Sequence, residues 1–151
     1  SQLSGKDNIY LNGMLLGIPK KKINQHYDEI VQFSGLEKVV DKPIKQYSSG
    51  MKARLGFSIA AMLEPDIFVI DEALSTGDLA FNRKASVRIQ EMIHQAKAAI
   101  IVSHSMSFVE RLCTRVIWLK QGEIRYDGEP NEAIRLYKSD VQNKKSGVLR
   151  P

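Results

Sequence analysis

Ile23, Tyr27, Ile30 and Val31 recur at helical spacing, which predicts an amphipathic helix over Lys20–Ser34 ended by Gly35. Ahead of it the chain opens polar, then reads Ile9-Tyr10-Leu11 and Met14-Leu15-Leu16 before Gly17 and Pro19. That pattern begins partway and suggests that the natural chain extends further upstream. Residues 36–40 form a short second element, and Pro43 interrupts regular structure before Tyr47. A longer periodic stretch, residues 51–63, puts Leu55, Ile59, Met62 and Leu63 on one apolar side, with Ser48 or Ser49 as the helix cap.

Beyond Pro65 the period changes. Residues 67–70 (Ile-Phe-Val-Ile) form a short apolar run suited to a buried parallel strand. A helix is predicted over 79–95, a second buried strand over 98–102, and another helix to about Leu112. Residues 115–119 and 123–126 flank Lys120-Gln121-Gly122 and read as a hairpin, followed by an amphipathic helix over 130–138. Strands separated by helices indicate an α/β fold. The chain divides by pattern into a mainly helical part (1–64), an α/β core portion (65–139) and a polar tail (140–151).

Composition narrows the class. At 151 residues the chain is long enough for one domain with a real core, and 43% hydrophobic with 26% charged residues is ordinary for a soluble globular protein. No apolar run approaches the length that crosses a bilayer, and nothing points to secretion. The net charge of +5 would favour phosphate-rich ligands. The lysines cluster at Lys20-Lys21-Lys22 and Lys144-Lys145, which read as solvated basic patches, and no nucleic-acid partner is expected. The single cysteine, Cys113, excludes an internal disulfide and reads as a small buried hydrophobe.

Candidate chemistry sits at the ends of the predicted strands, where ligands bind in open α/β sheets. Asp71 and Glu72 close the first strand. Neighbouring side chains cannot share a direction, so two roles suit them: Asp71 holding a hydrated magnesium ion and Glu72 polarising water. A solvated acidic strand end is the alternative. Ser48, Ser49 and Gly50 precede a helix whose free N–H groups and dipole suit a phosphate, although a plain cap explains one serine equally well. His104 follows the second strand and could meet a terminal phosphate or the attacking water, or simply cap the next helix. Asp78 is placed to cap the helix that begins near Leu79. His26 and His94 fall inside predicted helices, and no ligand set supports zinc.

Taken in order, these motifs resemble the ATP-binding-cassette ATPase family. Tyr47-Ser48-Ser49-Gly50-Met51 looks like its signature motif, in the form familiar from exporters of cell-surface polysaccharide and teichoic acid. The strand ending at Asp71 matches Walker B, Glu72 the catalytic glutamate, 75–78 the D-loop and His104 the switch histidine. The resemblance implies the C-terminal part of a phosphate-loop NTPase domain: a helical subdomain, then later core strands, a hairpin and a last helix. It further implies ATP and Mg2+, with nucleotide contacts from Ser48, Ser49, Gly50, Met51 and Asp78. The implied partners are a second nucleotide-binding subunit, paired head to tail, and a separate membrane permease. The location would be peripheral, on the cytoplasmic face of the membrane.

Two departures matter. Thr76-Gly77 stands where many members carry alanine-leucine, and no Gly-rich loop ending in Gly-Lys-Ser or Gly-Lys-Thr occurs in these 151 residues. Gly5-Lys6 lacks the upstream glycine and is no substitute. The parent is therefore expected to be an ATP-driven translocase and this isolated chain inactive. The alternatives are a fragment of a non-transport mechanical ATPase and a truncated, non-enzymatic interaction module.

Overall fold

The structure, a computed structural model, describes residues 3–71 and 78–147. By contact density the chain separates into two compact units: residues 1–68 with 73–99, and residues 69–72 with 100–151.

The first unit is helical. Helix α1 (Gly5–Leu15) falls where the sequence pattern predicted no element. Its start is fixed by a capping box, in which the Ser4 hydroxyl accepts from the Asp7 N–H while the Asp7 carboxylate accepts from the Ser4 N–H. Helix α2 (Lys20–Ser34) ends as predicted, at Gly35, whose φ of 66° is the left-handed conformation that glycine adopts without penalty. Helix α3 (Ser49–Ala60) follows a short 3-10 turn at Ile44–Gln46. The three helices pack on one another around Ile9, Ile23, Ile30, Leu36, Leu55 and Ile59, each at most 2% exposed. Burial of each such side chain contributes on the order of 1.5–3 kcal/mol.

Helix α4 (Leu79–Gln95) is joined to this bundle by rings and by a cap. Phe81 meets Phe33 of α2 and Phe57 of α3 edge-on, with centroids 5.7 and 5.9 Å apart. Arg88 donates from Nε and Nη2 to the carbonyl of Ala61, at 3.0 and 2.7 Å, satisfying a free acceptor at the end of α3.

Strands β1 (Ile67–Asp71) and β2 (Ala98–Val102) form a two-stranded sheet. Their position matches the prediction and their burial does not. Ile67 and Val69 are 63% and 64% exposed, and Ile100 and Val102 are also exposed. Apolar content shows what a strand is able to bury, while burial itself requires a covering layer, and among the described residues those four side chains stay more than half exposed.

The second unit holds helix α5 (Met106–Leu112), strands β3 (Val116–Lys120) and β4 (Glu123–Gly128), and helix α6 (Pro130–Gly147). The hairpin forms about Gln121-Gly122, both at positive φ, as a two-residue turn of this twist demands. Trp118 pairs across the strands with Tyr126 and meets Tyr137 of α6 edge-on. Lys120 reaches Asp140 of the same helix. Helix α6 therefore continues well past Lys138, into the segment read from sequence as polar tail. Cys113 is half-buried rather than buried, and desolvation raises its thiol pKa.

Candidate functional site

The first cluster lies at the start of α3. Ser48 is the N-cap, its Oγ accepting from the Met51 N–H at 3.2 Å, and its carbonyl accepts from the Lys52 N–H. Helix geometry leaves the N–H groups of Ser49 and Gly50 at the open end. Ser48 and Ser49 are exposed, and Gly50 and Met51 are half-buried. The arrangement presents two donors and the positive end of the dipole to one place, which suits an anion. Of the two serines the sequence left open as the cap, the structure selects Ser48.

Tyr47 holds this loop from behind. Its ring is buried, its hydroxyl donates to the carbonyl of Val39 at 2.7 Å, and it lies against the backbone of Gly5. A Cβ at Gly5 would stand 2.2 Å from the Tyr47 hydroxyl, so this approach requires glycine. The start of α1 and the loop before α3 are thereby fixed together. Burial raises the Tyr47 phenol pKa, with the nearby Asp41 charge adding to it.

Asp78 forms the joint between α3 and α4. One carboxylate oxygen accepts from the N–H groups of Ala80 and Phe81 at 3.0 and 3.1 Å, capping α4. The other accepts from Arg54 Nη1 of α3 at 2.8 Å. The Phe81 hydrogen bond, then that of Ala80 and the Arg54 charge, hold the Asp78 carboxyl below its ordinary value against some desolvation. The cap was legible in sequence, whereas Arg54 was not singled out. Its position four residues after Gly50 places it one turn along α3, and only the packing of α3 against α4 supplies its partner.

The other candidates belong elsewhere. Asp71 is the last residue of β1 and is exposed, and His104 is exposed in the bend after β2. Both fall in the second unit. In that bend the Ser105 N–H is bonded to Ser103 Oγ, and the cap position of α5 is Ser105. His104 is therefore not the helix cap that the sequence left open as an alternative. Glu72 and residues 73–77 lie outside the described residues. Among the described residues no group of three or more His, Cys, Asp or Glu side chains is placed to share a metal. A single exposed carboxylate such as Asp71 fits a magnesium ion that keeps most of its waters. No helix among the described residues is long and apolar enough to cross a membrane.

No protein-family model matches the chain. It is similar to the O-antigen export system ATP-binding protein of Klebsiella pneumoniae, at 44% identity over 137 residues, covering 91% of this chain and 56% of that protein. It is equally similar, at 44%, to the teichoic acids export ATP-binding protein of Lactococcus lactis, covering 94% of this chain and 30% of that protein. The chain thus spans about half the length of the O-antigen relatives from Klebsiella and less of the teichoic acid relatives. Among solved structures, the ATP-binding subunit of an ABC transporter superimposes with a TM-score of 0.72 at 21% identity, over 91% of this chain and 57% of that one.

Proposed function

The chain is related to the ATP-binding proteins of O-antigen and teichoic acid export systems and has the fold of an ABC-transporter ATP-binding subunit, and from this premise we propose that it is the signature-motif and catalytic-carboxylate portion of an ATPase that drives export of a cell-surface polysaccharide or teichoic acid. The observation that carries the reading is the start of α3, where Ser48 is the cap, Ser48 and Ser49 are exposed, and the first-turn N–H groups of Ser49 and Gly50 have no intrahelical acceptor. In a head-to-tail pair of such subunits, that helix start closes on the terminal phosphate of ATP held by the partner subunit. Fixed N–H donors aimed at developing phosphate charge stabilise the transition state without reorganising.

In this reading Glu72 orients the attacking water, and His104 bonds the terminal phosphate or that water. Asp71 holds Mg2+, which neutralises phosphate charge when bound. Asp78, held by Arg54, fixes the start of α4. A separate membrane permease carries the glycan, and the ATPase works from the cytoplasmic face. Nucleotide contacts by Met51 and Asp78 belong to the same proposal.

The decisive experiment is Glu72→Gln in the full-length protein with its permease. Hydrolysis should fall by roughly 10²–10⁴-fold while ATP is still bound. Unchanged turnover would remove Glu72 from the mechanism, and co-purification with ribosomes or DNA, without a permease, would refute export. These 151 residues alone contain no Gly-rich lysine loop, so they should bind ATP feebly and show no turnover. Magnesium-dependent hydrolysis by the pure chain, abolished by Glu72→Gln, would contradict that.

A further inference from the structure

Arg54 sits where three helices meet. It leaves α3 one turn after Gly50, and its Nη1 donates to Asp78 Oδ2 at the start of α4. The same nitrogen would stand 3.8 Å from a Cβ at Gly35. That places the guanidinium at the C-terminal end of α2, where the helix dipole favours a cation. The Arg54 side chain is 21% exposed and that of Asp78 39%.

Neither capping nor stability accounts for this pair. Asp78 Oδ1 takes both N–H groups of the α4 cap, so asparagine or serine would cap as well. Helices α3 and α4 are already tied further along, by Phe57 against Phe81 and by Arg88 on the Ala61 carbonyl. A partly exposed ion pair adds little to that. What Arg54 adds is a directed, charge-assisted bond at the end of both helices where the candidate chemistry lies. Ser49 and Gly50 are one turn away on α3, and Asp78 directly follows residues 72–77, which carry Glu72. The three ties come in the same order along both helices, so the Arg54 tie holds their starts in register.

We propose that Arg54 is a positioning residue of the ATPase: through Asp78 it keeps the phosphate-facing start of α3 in register with the start of α4, and hydrolysis requires that register. Arg54 itself touches no nucleotide. The assignment rests on the reading of the α3 start as the phosphate contact.

The test is steady-state hydrolysis by the full-length protein with its permease. Arg54→Met keeps the aliphatic stem and removes the charge, and it should lower kcat by about 10- to 100-fold with KM for ATP unchanged. Arg54→Lys, which keeps a cation able to reach Asp78, should recover most of the rate. Asp78→Asn keeps a capping oxygen but puts an amide N–H where Oδ2 accepted, and in that background Arg54→Met should cost nothing further. Arg54→Gln gives the same comparison if Arg54→Met does not fold. Losses that multiply independently overturn the proposal, and so does a lysine variant as slow as the methionine one. A raised KM at unchanged kcat also overturns it, because Arg54 would then be a nucleotide contact. Glu72→Gln in the same preparation separates this assignment from the reading beneath it. If Glu72→Gln leaves turnover unchanged, both fail; if it stops turnover while Arg54→Met does not slow it, only the Arg54 assignment fails.

Discussion

The α1–α3 bundle and the β1–β2 sheet both carry large aliphatic side chains and treat them in opposite ways. The bundle encloses Ile9, Ile23, Ile30, Leu55 and Ile59 almost completely, whereas Ile67, Val69, Ile100 and Val102 of the sheet are more than half exposed. Three mutually packed helices can close a core among themselves, because each covers a face of the other two. A two-stranded sheet presents two faces and two edges, and it stays open unless further layers cover it. The helix start that would meet phosphate therefore rests on a closed core. The strand that leads to Asp71 does not.

Mutation should expose this contrast most strongly at Ile59, which is 1% exposed. Ile59→Ala removes buried methyl groups and leaves a cavity, and chemical denaturation should register a loss of about 2–5 kcal/mol. A loss under about 1 kcal/mol would mean that the bundle is looser than its packing implies. Next in size is the anchor of the second unit. The edge-on pair Trp118–Tyr137, at 5.8 Å, should give a double-mutant coupling of about 0.5–1.5 kcal/mol. Strict additivity would show that α6 is held to the hairpin by something else.

A smaller and local effect is expected at Asp78. Its carboxyl titrates lower in the folded chain than when unfolded, so its contribution is complete above the ordinary aspartate value of about 3.9. That contribution is lost as pH falls from there through the folded pKa. NMR of the Ala80 and Phe81 amides should show the first turn of α4 loosening over that acid range, and Asp78→Asn should remove the pH dependence. If the same amides loosen identically in Asp78→Asn, the cap is not the cause. The smallest effect belongs to Val69, 64% exposed: Val69→Ala should change stability within about 0.5 kcal/mol. A cost comparable to that of Ile59→Ala would mean that β1 is covered after all.

Legibility from sequence followed the range of the interactions. Helix α4 and strand β2 have the bounds that periodicity assigned, and Gly35, Ser48 and Asp78 terminate or cap helices as local chemistry dictates. Helix α1 was missed because its apolar residues fall on two faces and blur the period. Its signal was instead the Ser4-x-x-Asp7 capping box. The extension of α6 was missed because residues past Lys138 are polar, while Lys120 and Trp118 hold that helix from the hairpin.

The sequence by itself determined the order of the motifs, the ends of most elements, and the chemistry available at Ser48, Ser49, Gly50, Asp71, Glu72 and His104. These follow from backbone preferences and side-chain chemistry within a few residues. Tertiary structure decided which side chains meet. Arg54 found Asp78 24 residues away, Tyr47 came against Gly5, and one stripe of α1 was buried while the other was left open. The physical reason is that burial and pairing are properties of two surfaces brought together, and a linear pattern specifies only one of them.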